Sequence, residues 1–93
     1  MISYLACFDI TNDRNRTRIG KALAVYGNRV QRSVFEITLR NPNELKRLKQ
    51  ELSQFMDDED DDIRFYYLCQ HCRKKSHSAD DERIAYFPAA VIL

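Results

Sequence analysis

The chain has few of the residues that break or staple a small fold. Its 93 residues include two glycines, two prolines and no tryptophan. The loops are therefore few or unusually polar. Three cysteines, an odd number, argue for reduced thiols in a cytosol rather than a disulfide scaffold. No apolar run approaches the ~20 residues of a membrane helix. The apolar start, Met1 to Phe8, lacks a basic region and is too short for a secretory leader, so a cytoplasmic chain is expected. There is no Gly-rich phosphate loop. Both histidines, His71 and His77, fall in one polar stretch, so no serine–histidine–acid set can be argued. No internal repeat or second domain is visible.

What is present suits an ordered single domain over residues 1–93. The hydrophobic fraction is 44% and the charged fraction 31%, which argues against disorder. A domain of this size buries only about 60–65% of the surface its unfolded chain exposes, so a partner subunit would help it. The net charge of +1 hides an asymmetry. Residues 1–56 carry ten Lys/Arg against five Asp/Glu, and residues 57–93 carry five against nine. A basic front half suits an anionic partner; a soluble surface with uneven charge is the plainer reading.

The apolar pattern predicts the elements in turn. Residues 2–9 read as a buried strand, short and nearly continuous. A helix is expected from Arg14 to Tyr26, with Ile19, Ala22, Leu23 and Tyr26 on one face. Gly27 is its expected left-handed stop. Residues 29–40 alternate as strand, with Phe35, Ile37 and Leu39 on one side. Periodicity does not tell one long strand from two short ones. Asn41-Pro42-Asn43-Glu44 reads as the capped start of a second helix. Leu45, Leu48, Leu52 and Phe55 form its stripe. Ile63 to Cys69 reads as a third strand, residues 70–82 as a polar loop, and Arg83 to Phe87 as a last strand ended by Pro88. Two amphipathic helices against one sheet face make an α+β, two-layer sandwich, most simply ferredoxin-like. The apolar end Val91-Ile92-Leu93 is expected to dock on a second copy.

Asp9 is the first candidate for chemistry. It is a carboxylate at the end of a strand that otherwise reads as buried, and a hard oxygen there suits Mg²⁺. One carboxylate makes a poor site, but two copies of Asp9 would face each other in a twofold dimer. The competing reading is a helix cap or an arginine pair. Arg14, Arg16, Arg18, Lys21, Arg29 and Arg32 follow within nineteen positions, and guanidinium forks suit phosphates. A solvated helix face is the alternative for any one of them. Cys69-Gln-His-Cys72 is a CxxC, yet without a second spaced pair it is weak evidence for zinc and no better evidence for a redox pair. The acidic run 57–62 lacks the spacing of a calcium loop and reads as a solvated linker. Tyr66 and Tyr67 suit base stacking, although in a strand at least one is expected in the core.

Three segments carry a family resemblance. They are Phe8-Asp9-Ile10, the run Arg14-Asn-Arg-Thr-Arg-Ile-Gly-Lys-Ala-Leu23, and Tyr26-Gly-Asn-Arg-Val-Gln-Arg-Ser-Val-Phe-Glu36. Together they resemble the small CRISPR-associated protein two, a family often labelled an endoribonuclease. The resemblance covers residues 2–69. It implies a ferredoxin-like βαββαβ fold and a homodimer. It implies a strand break near Arg32-Ser33, and a C-terminal strand and tail, residues 83–93, that pair with the partner chain. The family's metal-binding aspartate matches Asp9. Its neighbouring polar residues match Arg16, Arg18, Arg29 and Ser33, with Phe8 and Phe35 in support. Phe8 stands where many members carry tyrosine, so that hydroxyl is absent here.

Two functions follow from the resemblance, and the residues leave both open. One is a Mg²⁺-dependent endonuclease acting on RNA or DNA at a dimer-interface Asp9 site. The other is a non-catalytic scaffold that binds duplex DNA and bridges copies of the CRISPR integrase, CRISPR-associated protein one, during spacer acquisition. Either places the chain in the cytoplasm of a prokaryote.

Overall fold

Strand β1 (Ile2–Asp9) is central. It pairs antiparallel with β3 (Val34–Leu39) on one side and β4 (Asp62–Tyr67) on the other. Strand β2 (Gly27–Gln31) adds outside β3, giving the order β2-β3-β1-β4. Helices α1 (Asp13–Ala24) and α2 (Pro42–Ser53) connect β1 to β2 and β3 to β4, and a short α3 (Gln70–Lys75) follows β4. This is the expected ferredoxin-like sandwich. The computed structural model describes residues 1–57 and 59–86.

Period-two alternation sets the two faces of the sheet. Ala6 and Phe8 of β1, with Ile10 just beyond it, meet Phe35, Ile37 and Leu39 of β3. Ile19, Ala22 and Leu23 of α1 and Leu48 and Leu52 of α2 close this core from one side. Leu45, Tyr26 and Phe55 pack at its margin. Both predicted helix stripes are thus buried where periodicity placed them. The opposite face carries Ser3, Leu5, Cys7 and Asp9 of β1, and Asp9 is exposed there.

Several boundaries differ from the sequence expectation, each for a local reason. Residues 29–40 are two strands, joined by a turn at Arg32-Ser33. α1 ends at Ala24 with Val25 in ordinary right-handed geometry, and Gly27 has no positive φ. Gly27 instead starts β2, where a Cβ would lie 1.8 Å from the Glu36 carbonyl oxygen. The glycine is there for close backbone approach rather than for helix termination. Strand β4 stops at Tyr67, so Cys69 caps α3 instead of extending the strand. Residues 70–82 are therefore not all loop: α3 occupies the first part, and an isolated bridge joins His77 to Arg83. Arg83 to Tyr86 form no further ladder among the described residues. The expected strand end at Phe87, the Pro88 break and the Val91–Leu93 tail lie outside the described residues. Neither Tyr66 nor Tyr67 is buried, because β4 is a sheet edge.

The acidic run does more than separate α2 from β4. Asp61 accepts from the Thr11 backbone N–H (2.9 Å), the Thr11 hydroxyl (3.0 Å) and the Asp57 N–H (3.1 Å). Asp57 accepts from the side chain of buried Asn15 at 2.8 Å. Two connections at one end of the sheet are thereby tied by charge-assisted bonds.

The two glycines give opposite expectations. Gly27→Ala forces a Cβ into backbone and should cost about 2–3 kcal/mol, read as a lower urea midpoint at unchanged slope. At Gly20 the nearest atom to a Cβ is the tip of the Arg29 side chain, 2.7 Å away. Gly20→Ala should leave the midpoint equal or higher, because the helix gains up to about 1 kcal/mol in propensity and a side-chain tip can move.

Candidate nucleic-acid and metal site

Asp9 ends β1 on the face turned away from α1 and α2, and it is exposed. It does not cap α1. Asn12 does, with its side-chain oxygen accepting from the Asn15 N–H at 3.0 Å. Nor does an arginine neutralise it: Asp9 makes no side-chain hydrogen bond or ion pair among the described residues. Both structural alternatives for this carboxylate are thus removed.

The antiparallel register sets Asp62 directly opposite Asp9. Directly opposed residues have Cβ atoms about 5 Å apart, so two carboxylates share the end of the sheet. Asp62 is already engaged, with the Arg64 Nε donating to it at 2.7 Å. Arg64 lies on the same face, opposite Cys7. The hydrogen bonds it donates, to Tyr66 and to Asp62, raise its pKa further and hold its guanidinium charged. Burial raises the Cys7 thiol pKa, with Arg64 opposing it. Asp62 and Arg64 are the residues that sequence reasoning missed. Alternation puts 62, 64 and 66 on one strand face, but only the pairing shows that this face continues that of Asp9.

The turn Arg32-Ser33 comes to the same end of the sheet, where the Ser33 carbonyl accepts from the Phe8 N–H at 3.0 Å. Phe8 and Phe35 lie behind Asp9 in the core, with ring centroids 6.2 Å apart. They support the strand end and face away from any ligand on the open side. A tyrosine hydroxyl at position 8 would point into apolar packing.

The basic residues divide into two groups. Steps of roughly 100° per residue put Arg16 and Arg18 about 200° apart around α1. Arg16 is half-buried and ion-paired with Asp13. Its side of the helix carries Gly20, which makes room for Arg29, and the Arg29 guanidinium lies 5.1 Å from the Phe35 ring centroid. On the other side Arg14, Arg18 and Lys21 form an exposed stripe. Arg18 lies 5.8 Å over the Phe55 ring. Lys21 is in the last turn of α1, far from Asp9. Arg32 is exposed in the turn beside Ser33. The six basic residues therefore do not form one patch.

The donor chemistry suits a hard divalent cation at Asp9, but incompletely. Among the described residues no group of three acidic, histidine or cysteine side chains is placed to hold a metal. Asp9 supplies one carboxylate, and Asp62 would first have to give up Arg64. Mg²⁺ takes six oxygens, so water, substrate phosphate or a second chain must provide the rest. No helix among the described residues is long and apolar enough to cross a membrane.

Comparison with known proteins fits this arrangement. The model of the CRISPR-associated protein Cas2 family matches residues 1–76. The chain is 42% identical over 73 residues to CRISPR-associated endoribonuclease Cas2 1 of Chloroflexus aurantiacus, covering 77% of each chain. It is 45% identical over 76 residues to the Cas2 endoribonuclease of Nitratidesulfovibrio vulgaris, covering 81% of this chain and 74% of that one. Among solved structures it resembles a chain of a partial Cas6-RT-Cas1–Cas2 complex, at TM-score 0.81 and 34% identity over 91% of this chain and 98% of that one. It also resembles Streptococcus pyogenes Cas2, at TM-score 0.73 and 30% identity over 82% of this chain and 96% of that one. With the sheet order, the Asp9 strand end and the Arg32-Ser33 turn all in place, the chain belongs to the Cas2 family of CRISPR-associated proteins.

Proposed function

We propose that this chain acts in CRISPR adaptation as a homodimeric, nucleic-acid-binding partner of Cas1, with a Mg²⁺-dependent phosphodiesterase centre at Asp9. The adaptation role rests on one observation above the others. The fold matches a chain of a complex containing Cas1 and Cas2 over nearly that chain's whole length. The endoribonuclease names of the relatives support the hydrolytic part.

Asp9 suits its role because it is exposed, unpaired among the described residues and fixed by the central strand. Asp9 supplies a single carboxylate to this site, so a second copy is the natural source of another. Bound there, Mg²⁺ would supply Lewis-acid chemistry for hydrolysis of a phosphodiester. The chain's own residues do the rest. Arg64, held by Asp62 and Tyr66, presents a fixed cation beside Asp9. The α1 stripe holds phosphates further along the nucleic acid. The bridging role needs only the basic surface and the dimer, so it survives loss of Asp9.

Cleavage of labelled single-stranded RNA and duplex DNA by wild type and Asp9→Asn separates the two parts. Asp9→Asn should lose at least about 100-fold in Mg²⁺-dependent cleavage, a loss typical of damaged metal sites, while duplex and Cas1 binding persist. Equal cleavage by both would remove Asp9 from the chemistry. Absence of cleavage by either, with duplex binding intact, would leave the bridging role alone.

The split basic surface gives a second expectation. Each phosphate that a side chain neutralises adds about 0.9 to the steepness of log K against log salt. Replacing Arg14, Arg18 and Lys21 with alanine should therefore flatten the slope by roughly 2 to 3 in all. The Arg16→Ala, Arg29→Ala pair should change it by less than about 0.9. The reverse result would place the nucleic acid on the β2 side of α1.

A further inference from the structure

The CxxC at residues 69–72 has no part in the Asp9 site. It lies at the other end of the sheet: the Leu68 N–H bonds to the Ser3 carbonyl, while Asp9 pairs with Asp62. Ser3 and Asp9 are six residue steps apart along the strand, about 20 Å at the rise of an extended chain. The two sites can therefore be tested independently.

The two cysteines are already partners. Cys69 is the residue before α3, and its Sγ accepts the Cys72 backbone N–H at 3.4 Å. The hydrogen bond from the Cys72 backbone, followed by that from the Cys72 thiol, holds the Cys69 thiol below its ordinary pKa. Donating to Cys69 raises that of Cys72. Cys72 is exposed and Cys69 half-exposed, so both can be reached from solvent. A zinc site is not assembled around them. His77 sets its Nδ1 against the Lys75 carbonyl (3.2 Å) and its Nε2 toward Asp81 (4.0 Å). No third ligand joins the cysteines among the described residues.

We propose that Cys69 and Cys72 are a redox-active dithiol that closes to an intramolecular disulfide by exchange with a low-molecular-weight disulfide. Cys69, as thiolate, attacks one sulfur of the small disulfide, giving a mixed disulfide and releasing one small thiolate. Cys72 then gives up its proton and attacks the Cys69 sulfur, releasing the second small thiolate and forming the Cys69–Cys72 bond. Two electrons pass from the protein to the small disulfide, and the two protein thiol protons end on the two released thiols. The Cys69 sulfur, set against the Cys72 backbone N–H, lies beside the resolving residue, which favours the second step over simple adduct formation. Cys7, in the same chain, has no such partner, and burial raises its pKa; it serves as an internal control.

The test is equilibration of the reduced full chain with a series of reduced and oxidised glutathione ratios. Differential alkylation and peptide mass spectrometry then read each cysteine. The expected result is a Cys69–Cys72 disulfide that forms over a defined range of ratios while Cys7 stays reduced. Cys72→Ser should accumulate the glutathione adduct at Cys69, because the resolving thiol is gone. Its circular dichroism should match wild type, which separates chemistry from misfolding. Three results would overturn the proposal. One is a pair that stays reduced across the whole series. Another is adducts on all three cysteines without a Cys69–Cys72 link. The third is one zinc per chain that survives dialysis and blocks oxidation.

Discussion

The register of β1 between β3 and β4 is the constraint from which the rest follows. Ala6 and Phe8 must face the helices, because there they complete the core with Phe35, Ile37 and Leu39 of β3. Alternation then sends Ser3, Leu5, Cys7 and Asp9 to the opposite face. A slip of one residue would bury Asp9 and expose Phe8, reversing both the core and the site. The carboxylate is thus held outward by the same hydrophobic term that folds the domain. The Ser33 carbonyl on the Phe8 N–H adds a bond next to Asp9 on the β3 side.

Polar ties hold the same end of the molecule in shape. The β1–α1 connection would be a loose loop without the Asp61 carboxylate, which accepts from both hydrogen-bond donors of Thr11. Asn15 is buried and satisfied by Asp57, so the start of α1 is joined to the end of α2. An unpartnered buried amide would be costly. The tract that composition alone marks as solvated is therefore structural at Asp57 and Asp61. It also continues directly into Asp62, which holds Arg64.

The basic residues show why counting charge is not the same as locating it. Six lie close together in sequence, but α1 turns its four to opposite sides, and Arg29 and Arg32 lie on β2 and in the turn after it. Gly20 gives Arg29 a seat over Phe35 on one side, while Arg18 covers Phe55 on the other. Both of these guanidinium groups lie over an aromatic face while the residues remain exposed. Only the arrangement of helix and sheet decides which of them one nucleic-acid strand can reach together.

The sequence by itself determined the two helix stripes, the alternating strand Val34–Leu39, the capped start at Asn41 and the lone carboxylate at the end of β1. These are local patterns, set by the period of helix or strand and by short-range capping, and such patterns are written in neighbouring residues. Its family motifs placed the turn at Arg32-Ser33, which periodicity did not show. Only the tertiary structure decided what lies across from what. Asp62 opposite Asp9, Arg64 beside Cys7, Asp61 on Thr11, Gly27 against Glu36 and the division of the arginines all join residues from different elements. Even the Cys69–Cys72 contact, though close in sequence, depended on where β4 ended and α3 began. Pairing register and packing angle come from the global burial of apolar surface, and no window of sequence contains them.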